Sequence, residues 1–507
     1  MPQRLPVSYY IITRLPSAQP SSVTIPLSSI LQYPSIMVSL LPLYYLKIKL
    51  LTLSKDKCPL EGLPVELRIL ILSNISDLHS LRAIVLASPA YHQAHRPVRG
   101  GLLRDLVYKE YNGLVGVPDA VTAIRSRGLH AYLPSNKESI ISLLDIRRRS
   151  DEVFDTPVSI DETIQLLHLH RIAIFLMNDH CTFAPCPGWM NQTKWKTEIL
   201  PLRLSRTEKV RWLRGFYRLQ IFANIFGPIE LPVHECNAGK RDDWNGKTFT
   251  KEEAWSVFYG TMAPWEVVEL GCIFQYFHGR YTEPYYEIAN NFSQYGQVEM
   301  SSLPEDVQIP AGCRQWDASD LTLKADDNLL TLAAMGPEFF YKFFTQKTFL
   351  DRRNLILCNG RPFLWVLPDI CPGSEDSLPL LYPADRFNFG QDFDGLKRLL
   401  ATLPQSERPN LLCDRYFFCF SDMSDTFEEI FDVGLGYSLW RWGFALWDDE
   451  RVLEWNPPMD YDTAFDYRWD RIRCTKHCYL RCSTSDGNEF TLNIKDWWTW
   501  ISKIFSS

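Results

Sequence analysis

Between residues 63 and 85 the apolar positions fall into two short groups at helical spacing, separated by a polar break. Leu67, Leu70, Ile71 and Ile75 share one face of a helix. Leu63-Pro64 opens it: Pro64 fixes φ and lacks the N–H that a first turn would leave unpaired. Glu66 suits the positive end of the helix dipole. Asp77 or Ser80 can cap a second helix carrying Leu81, Ile84 and Val85. Ser88-Pro89 reads as a cap followed by proline at the first helical position, so a third helix starts there. Three helices in residues 58–99 bury too little apolar surface to be comfortable alone, and their apolar face requires a partner or the rest of the chain.

Downstream the pattern stays helical. Ser159-x-x-Glu162, Ser205-x-x-Glu208 and Thr250-x-x-Glu253 are capping boxes, in which a hydroxyl accepts from the third helical N–H and Glu reaches back. Ile160, Ile164, Leu167 and Ile174 keep helical phase after the first. Trp212, Phe216, Leu219, Ala223 and Phe226 keep it after the second, and Gly227-Pro228 ends that helix. Pro264 opens another, with Val267, Leu270, Phe274 and Phe277 in one stripe. Residues 328–345 form a further run broken near Gly336-Pro337. Leu355–Cys358 and Phe363–Leu367 read as short strands, and Pro368 to Pro383 as a surface loop. No fixed-period repeat is present, so a leucine-rich-repeat or propeller domain is not expected. The fold class is therefore mainly α, a three-helix module followed by a large irregular helical body with few short strands. The expected divisions are a leader at 1–57, the module at 58–99, a helical body at 100–350, a loop-rich segment at 351–425 and a tryptophan-rich segment at 426–507 packing on the body.

Composition narrows the function. The chain has 507 residues, 46% of them apolar and 13% aromatic, enough for a large core. A net charge of −7 argues against a nucleic-acid surface, which would normally be basic. Thirteen scattered cysteines read as reduced thiols, and so as a cytoplasmic or nuclear protein. Residues 37–53 approach membrane-spanning length, but Pro42, Lys47 and Lys49 interrupt a run that would need ~20 mostly apolar residues. No firm membrane association is expected, and residues 1–57 are expected to be a disordered or artefactual leader.

Leu63-Pro64, Glu66, Ile71-Leu72, Ile75, Leu78, Leu81, Val85 and Ser88 together resemble an F-box. They stand where that family has its leucine-proline opening, its isoleucine-leucine pair and its valine-serine close. Leu86-Ala-Ser-Pro-Ala-Tyr91, with His95-Arg96 and Val98-Arg99, is similar to the variant in large proteins of filamentous fungi, as is the segment 436–455 with its tryptophan-glycine and tryptophan-aspartate pairs. The resemblance implies a substrate receptor of an SCF-type ubiquitin ligase, which docks on a Skp-type adaptor, and through it a cullin, while the helical body holds an unknown protein target. It implies a docking face drawn from Leu63, Pro64, Ile71, Leu72, Ile75, Leu78, Leu81 and Val85, some of which must instead hold the helices together. The alternatives are a scaffold that keeps the module without a ligase, and an unrecognised enzyme. Trp440, Trp442 and Trp447 have the large area and low side-chain entropy of interface anchors, although the same residues would also pack a C-terminal segment onto the body.

No catalytic constellation is legible. Gly246-Lys247-Thr248 lacks the upstream glycine of a phosphate loop, where Arg241 stands. Gly436-Tyr437-Ser438 lacks the closing glycine of a nucleophile elbow, where Trp440 stands. Cys474, His477, Cys478 and Cys482 are the best metal candidates, with the three thiols at i, i+4 and i+8 of a helix. Paired Cys-x-x-Cys knuckles are missing and His477 falls off that face, so neither metal nor cofactor is expected.

Overall fold

A computed structural model describes residues 60–111, 117–149, 159–232, 244, 246–295, 308, 325–360, 398, 400–413, 441–456, 480–483 and 489–492. The protein is mainly α. The chain divides at Leu102 into two compact units, residues 1–102 and 103–507.

In the first unit, α1 (Val65–Ser73) starts one residue after Pro64, which serves as its cap position, with Glu66 in the first turn. Ile75, expected on the helix face, lies past its end. Of the two candidate caps of α2 (Leu78–Ala87), Asp77 is the one used: its carboxylate accepts from the Ser80 N–H at 2.8 Å. That hydrogen bond holds the Asp77 carboxyl below its ordinary pKa. Helix α3 (Pro89–Tyr111) starts at Pro89 as the sequence predicts and runs past the unit boundary. Leu63, Leu72, Leu81, Val85, Tyr91 and Ala94 form the core between the three helices.

The second unit is built round two helices, one buried along most of its length and the other through its first half. The flanking helices are α4 (Val117–Arg125), α5 (Lys137–Arg149) and α6 (Ile160–Phe183), followed by α7 (Arg206–Ile225). After α8 (Lys251–Val257), the long α9 (Pro264–Tyr295) packs along α7. Their close approach needs Gly215, where a Cβ would stand 2.8 Å from the Ile273 side chain. The stripes read from sequence, Trp212-Phe216-Leu219 and Val267-Leu270-Phe274-Phe277, all lie in this core. The capping boxes at Ser205 and Thr250 are complete. At Ser159 the hydroxyl accepts from the Glu162 N–H, while the Glu162 carboxylate takes a bidentate bond from Arg125.

The run at 328–345 divides into α10 (Ala325–Ala334) and α11 (Gly336–Phe344). Gly336 makes the break at φ 84°, a conformation that glycine adopts without a Cβ penalty. Next comes α12 (Phe349–Asn359), which corrects one expectation: Leu355–Cys358 is the last turn of this helix, not a strand. All four residues are buried, and a short continuous apolar run carries no period that separates strand from buried helix. Phe363–Leu367 lies outside the described residues. Near the C-terminus, a turn at Phe444–Leu446 leads into α13 (Asp449–Trp455). Strands β1 (Leu480–Ser483) and β2 (Glu489–Leu492) pair antiparallel, with Cys482 opposite Phe490. Among the described residues no helix is long and apolar enough to cross a membrane.

Candidate functional site

The eight residues of the expected docking face separate into two sets. Leu63, Leu72 and Leu81 are 2% exposed and Val85 is 9% exposed, so these four hold the helices together and are corrected from docking to core residues. Pro64, Ile71, Ile75 and Leu78 are half-buried. The widest apolar exposure among the described residues of this unit belongs to others: Leu60 at 51%, Val65 at 41%, Leu70 at 38% and Leu86 at 71%. Val65 and Leu86 stand outside the core phase and Leu60 lies in the turn before α1, where periodicity gives no signal. An apolar residue on the polar side of a helix was the clue available.

Two polar links tie the segment before α1 to the start of α3. The Arg68 guanidinium donates through Nε to the Leu63 carbonyl at 3.0 Å and through Nη1 to the Ala90 carbonyl at 2.7 Å. The Ser88 hydroxyl donates to Glu61 Oε1 at 2.6 Å and accepts from the Tyr91 N–H at 3.5 Å. Arg68 and Glu61 lie outside the apolar pattern of this module, and spacing carries no signal of the polar links between its opening and its close.

In the second unit the notable chemistry is buried and paired. Arg214 makes a bidentate bond to Glu269, at 2.7 and 2.6 Å, and lies 3.4 Å from Glu266. Arg218 reaches Asp119 at 3.1 Å and Glu266 at 2.9 Å. Burial pushes the Glu269 carboxyl above its ordinary pKa, against the pull of Arg214. Burial acts the same way on Glu266, but the charges of Arg218 and Arg214 together bring it below. Near the start of α7, Asp448 accepts from Thr207 at 2.5 and 2.6 Å, from Arg211 at 2.9 Å and from Ser205. Arg451 pairs with Glu208 at 2.6 Å. These groups fasten the segment 441–456 to the helical core.

Of their two readings, Trp442 and Trp447 take the packing one: they lie against the body and not on a partner surface. They are 7% and 1% exposed. The Trp447 indole donates to the Trp442 carbonyl at 3.0 Å and stacks on His180 at 5.7 Å, while Trp442 meets Trp189 edge-on at 4.9 Å. Large indoles on a segment so fastened are core, not anchors for another chain. Trp440 lies outside the described residues.

Of the metal candidates, Cys474, His477 and Cys478 lie outside the described residues. Cys482 is in β1, so the helical spacing that would align it with Cys474 and Cys478 does not extend to it. No group of three or more His, Cys, Asp or Glu side chains among the described residues could hold a metal ion. At Gly246-Lys247-Thr248 the backbone N–H groups of Lys247 and Thr248 are directed to the Trp244 carbonyl, at 3.3 and 3.2 Å, so they do not form a phosphate cradle. The chain matches no protein-family profile, no curated protein and no solved structure.

Proposed function

We propose that the protein is a substrate-recognition subunit of an SCF-type ubiquitin ligase, the first unit docking on a Skp-type adaptor and the second holding a protein target. One observation carries this reading: the module has a closed core of Leu63, Leu72, Leu81 and Val85, yet leaves Leu60, Val65, Leu70 and Leu86 open round the leucine-proline opening and the valine-serine close. Apolar side chains left open on so small a unit suit a partner surface. The chemistry is tethering: a target held beside the ubiquitin-conjugating enzyme reacts at a raised effective concentration. The reading implies a cytoplasmic or nuclear location and a cullin reached through the adaptor.

The test is co-expression of the full chain with a Skp-type adaptor, followed by size-exclusion chromatography. Co-elution is expected, and is expected to disappear when Val65→Asp and Leu86→Asp are combined. Both positions are exposed, so the variant keeps its core. Separate elution of two folded wild-type proteins would overturn the proposal. Co-elution without recruitment of a cullin would leave a scaffold in place of a ligase subunit.

A further inference from the structure

The opening of the module has no side-chain cap. Pro64 occupies the cap position of α1 with no side-chain hydrogen bond, and the helix is only nine residues long. An uncapped first turn on a short helix frays readily, yet the open residue Val65 and the half-buried Pro64 belong to that turn and Leu60 lies just before it. Something else must hold the chain there. Arg68 supplies two bonds from one planar guanidinium, to the Leu63 carbonyl before α1 and to the Ala90 carbonyl in the first turn of α3. Ala90 is 22 positions along the chain from Arg68. A fork of donors in fixed geometry does this better than a single point charge. Ser88, bonded to Glu61 Oε1, adds a second tie between the same two segments.

We propose that Arg68 is a positioning residue of the docking surface: it locks the leucine-proline opening against the start of α3 and so presents Leu60, Pro64 and Val65 to the adaptor in one geometry. This rests on the docking function proposed above. Pre-organisation of this kind lowers the ordering cost at the moment of binding, so loss of Arg68 weakens association more than it weakens the fold.

The experiment measures the adaptor affinity of the full chain in wild type, Arg68→Gln, Arg68→Lys and Asp77→Ala. Asp77→Ala removes the cap of α2 and serves as the control for destabilisation away from the opening. Arg68→Gln is expected to bind at least tenfold more weakly, with Asp77→Ala within about threefold of wild type. Arg68→Lys, which keeps the charge without the fork, is expected to recover only part of the loss, and it replaces the glutamine variant if that one does not fold. Equal losses in the Arg68 and Asp77 variants would reduce Arg68 to a stabilising residue and overturn the positioning role. So would Arg68 variants that bind as wild type does. A wild-type chain that fails to bind any adaptor would instead remove the docking function, and the positioning role with it.

Discussion

The two units treat the same kind of residue in opposite ways. In the first, apolar side chains are left open at Leu60, Val65, Leu70 and Leu86, and the polar groups of Arg68, Ser88 and Glu61 tie segments together near the surface. In the second, four charged side chains of α7 are enclosed: Arg211, Arg214, Arg218 and Glu208 are all buried. The difference follows from size. A unit with few helices cannot enclose all its apolar surface, whereas a large body has interior enough to surround most of a helix. It teaches where each unit is sensitive. The body depends on matched partners inside it, and the module on what it shows outside.

The largest expected effect is in the body. Arg214→Ala leaves Glu269 without its bidentate partner in a buried site, which should cost about 3–5 kcal/mol. Denaturant unfolding of the full chain, followed by tryptophan fluorescence, checks this; an unchanged midpoint would mean that the ion pair is not enclosed.

A comparable effect comes from acid. His170 stacks on Tyr111 at 4.3 Å and lies 2.9 Å from the Tyr217 hydroxyl, and His180 is boxed by Trp447 and Tyr276. Burial lowers both rings to about 4 from 6.5. They are neutral in the fold, while the unfolded chain takes up their protons as pH falls below 6.5. Stability is therefore complete above that pH and is lost as pH falls toward 4, where each ring costs about 3 kcal/mol. The unfolding midpoint should drop between pH 7 and pH 4, and His180→Phe should flatten part of the drop.

The smallest effect sharpens the contrast. Val65→Ser in the module should change stability by no more than ~0.5 kcal/mol, since the side chain is open in the free protein. A loss several times larger would show that Val65 is a core residue and that the two units do not differ in this way.

Helix starts were the most legible part of the fold. The boxes at Ser205 and Thr250, the cap at Asp77 and the proline at Pro89 are local signals, each satisfied by a residue a few positions away. Leu355–Cys358 misled because its burial is decided by other helices and its four residues are too few to show a period. The burial of Arg211, Arg214 and Arg218 carries no local signal either. Their partners Asp448, Glu266, Glu269 and Asp119 come from remote parts of the chain.

By itself, then, the sequence determined the helical class, the places where most helices begin and the three-helix grouping near the N-terminus. These depend on φ preferences, caps and spacing, which act over one or two turns. Only the tertiary structure decided which of the eight module residues face inward, that Trp442 and Trp447 are core, and that the arginines of α7 are paired inside. Burial is a property of the surroundings, and those surroundings are assembled from residues remote in the chain, as between Arg451 and Glu208, 243 positions apart.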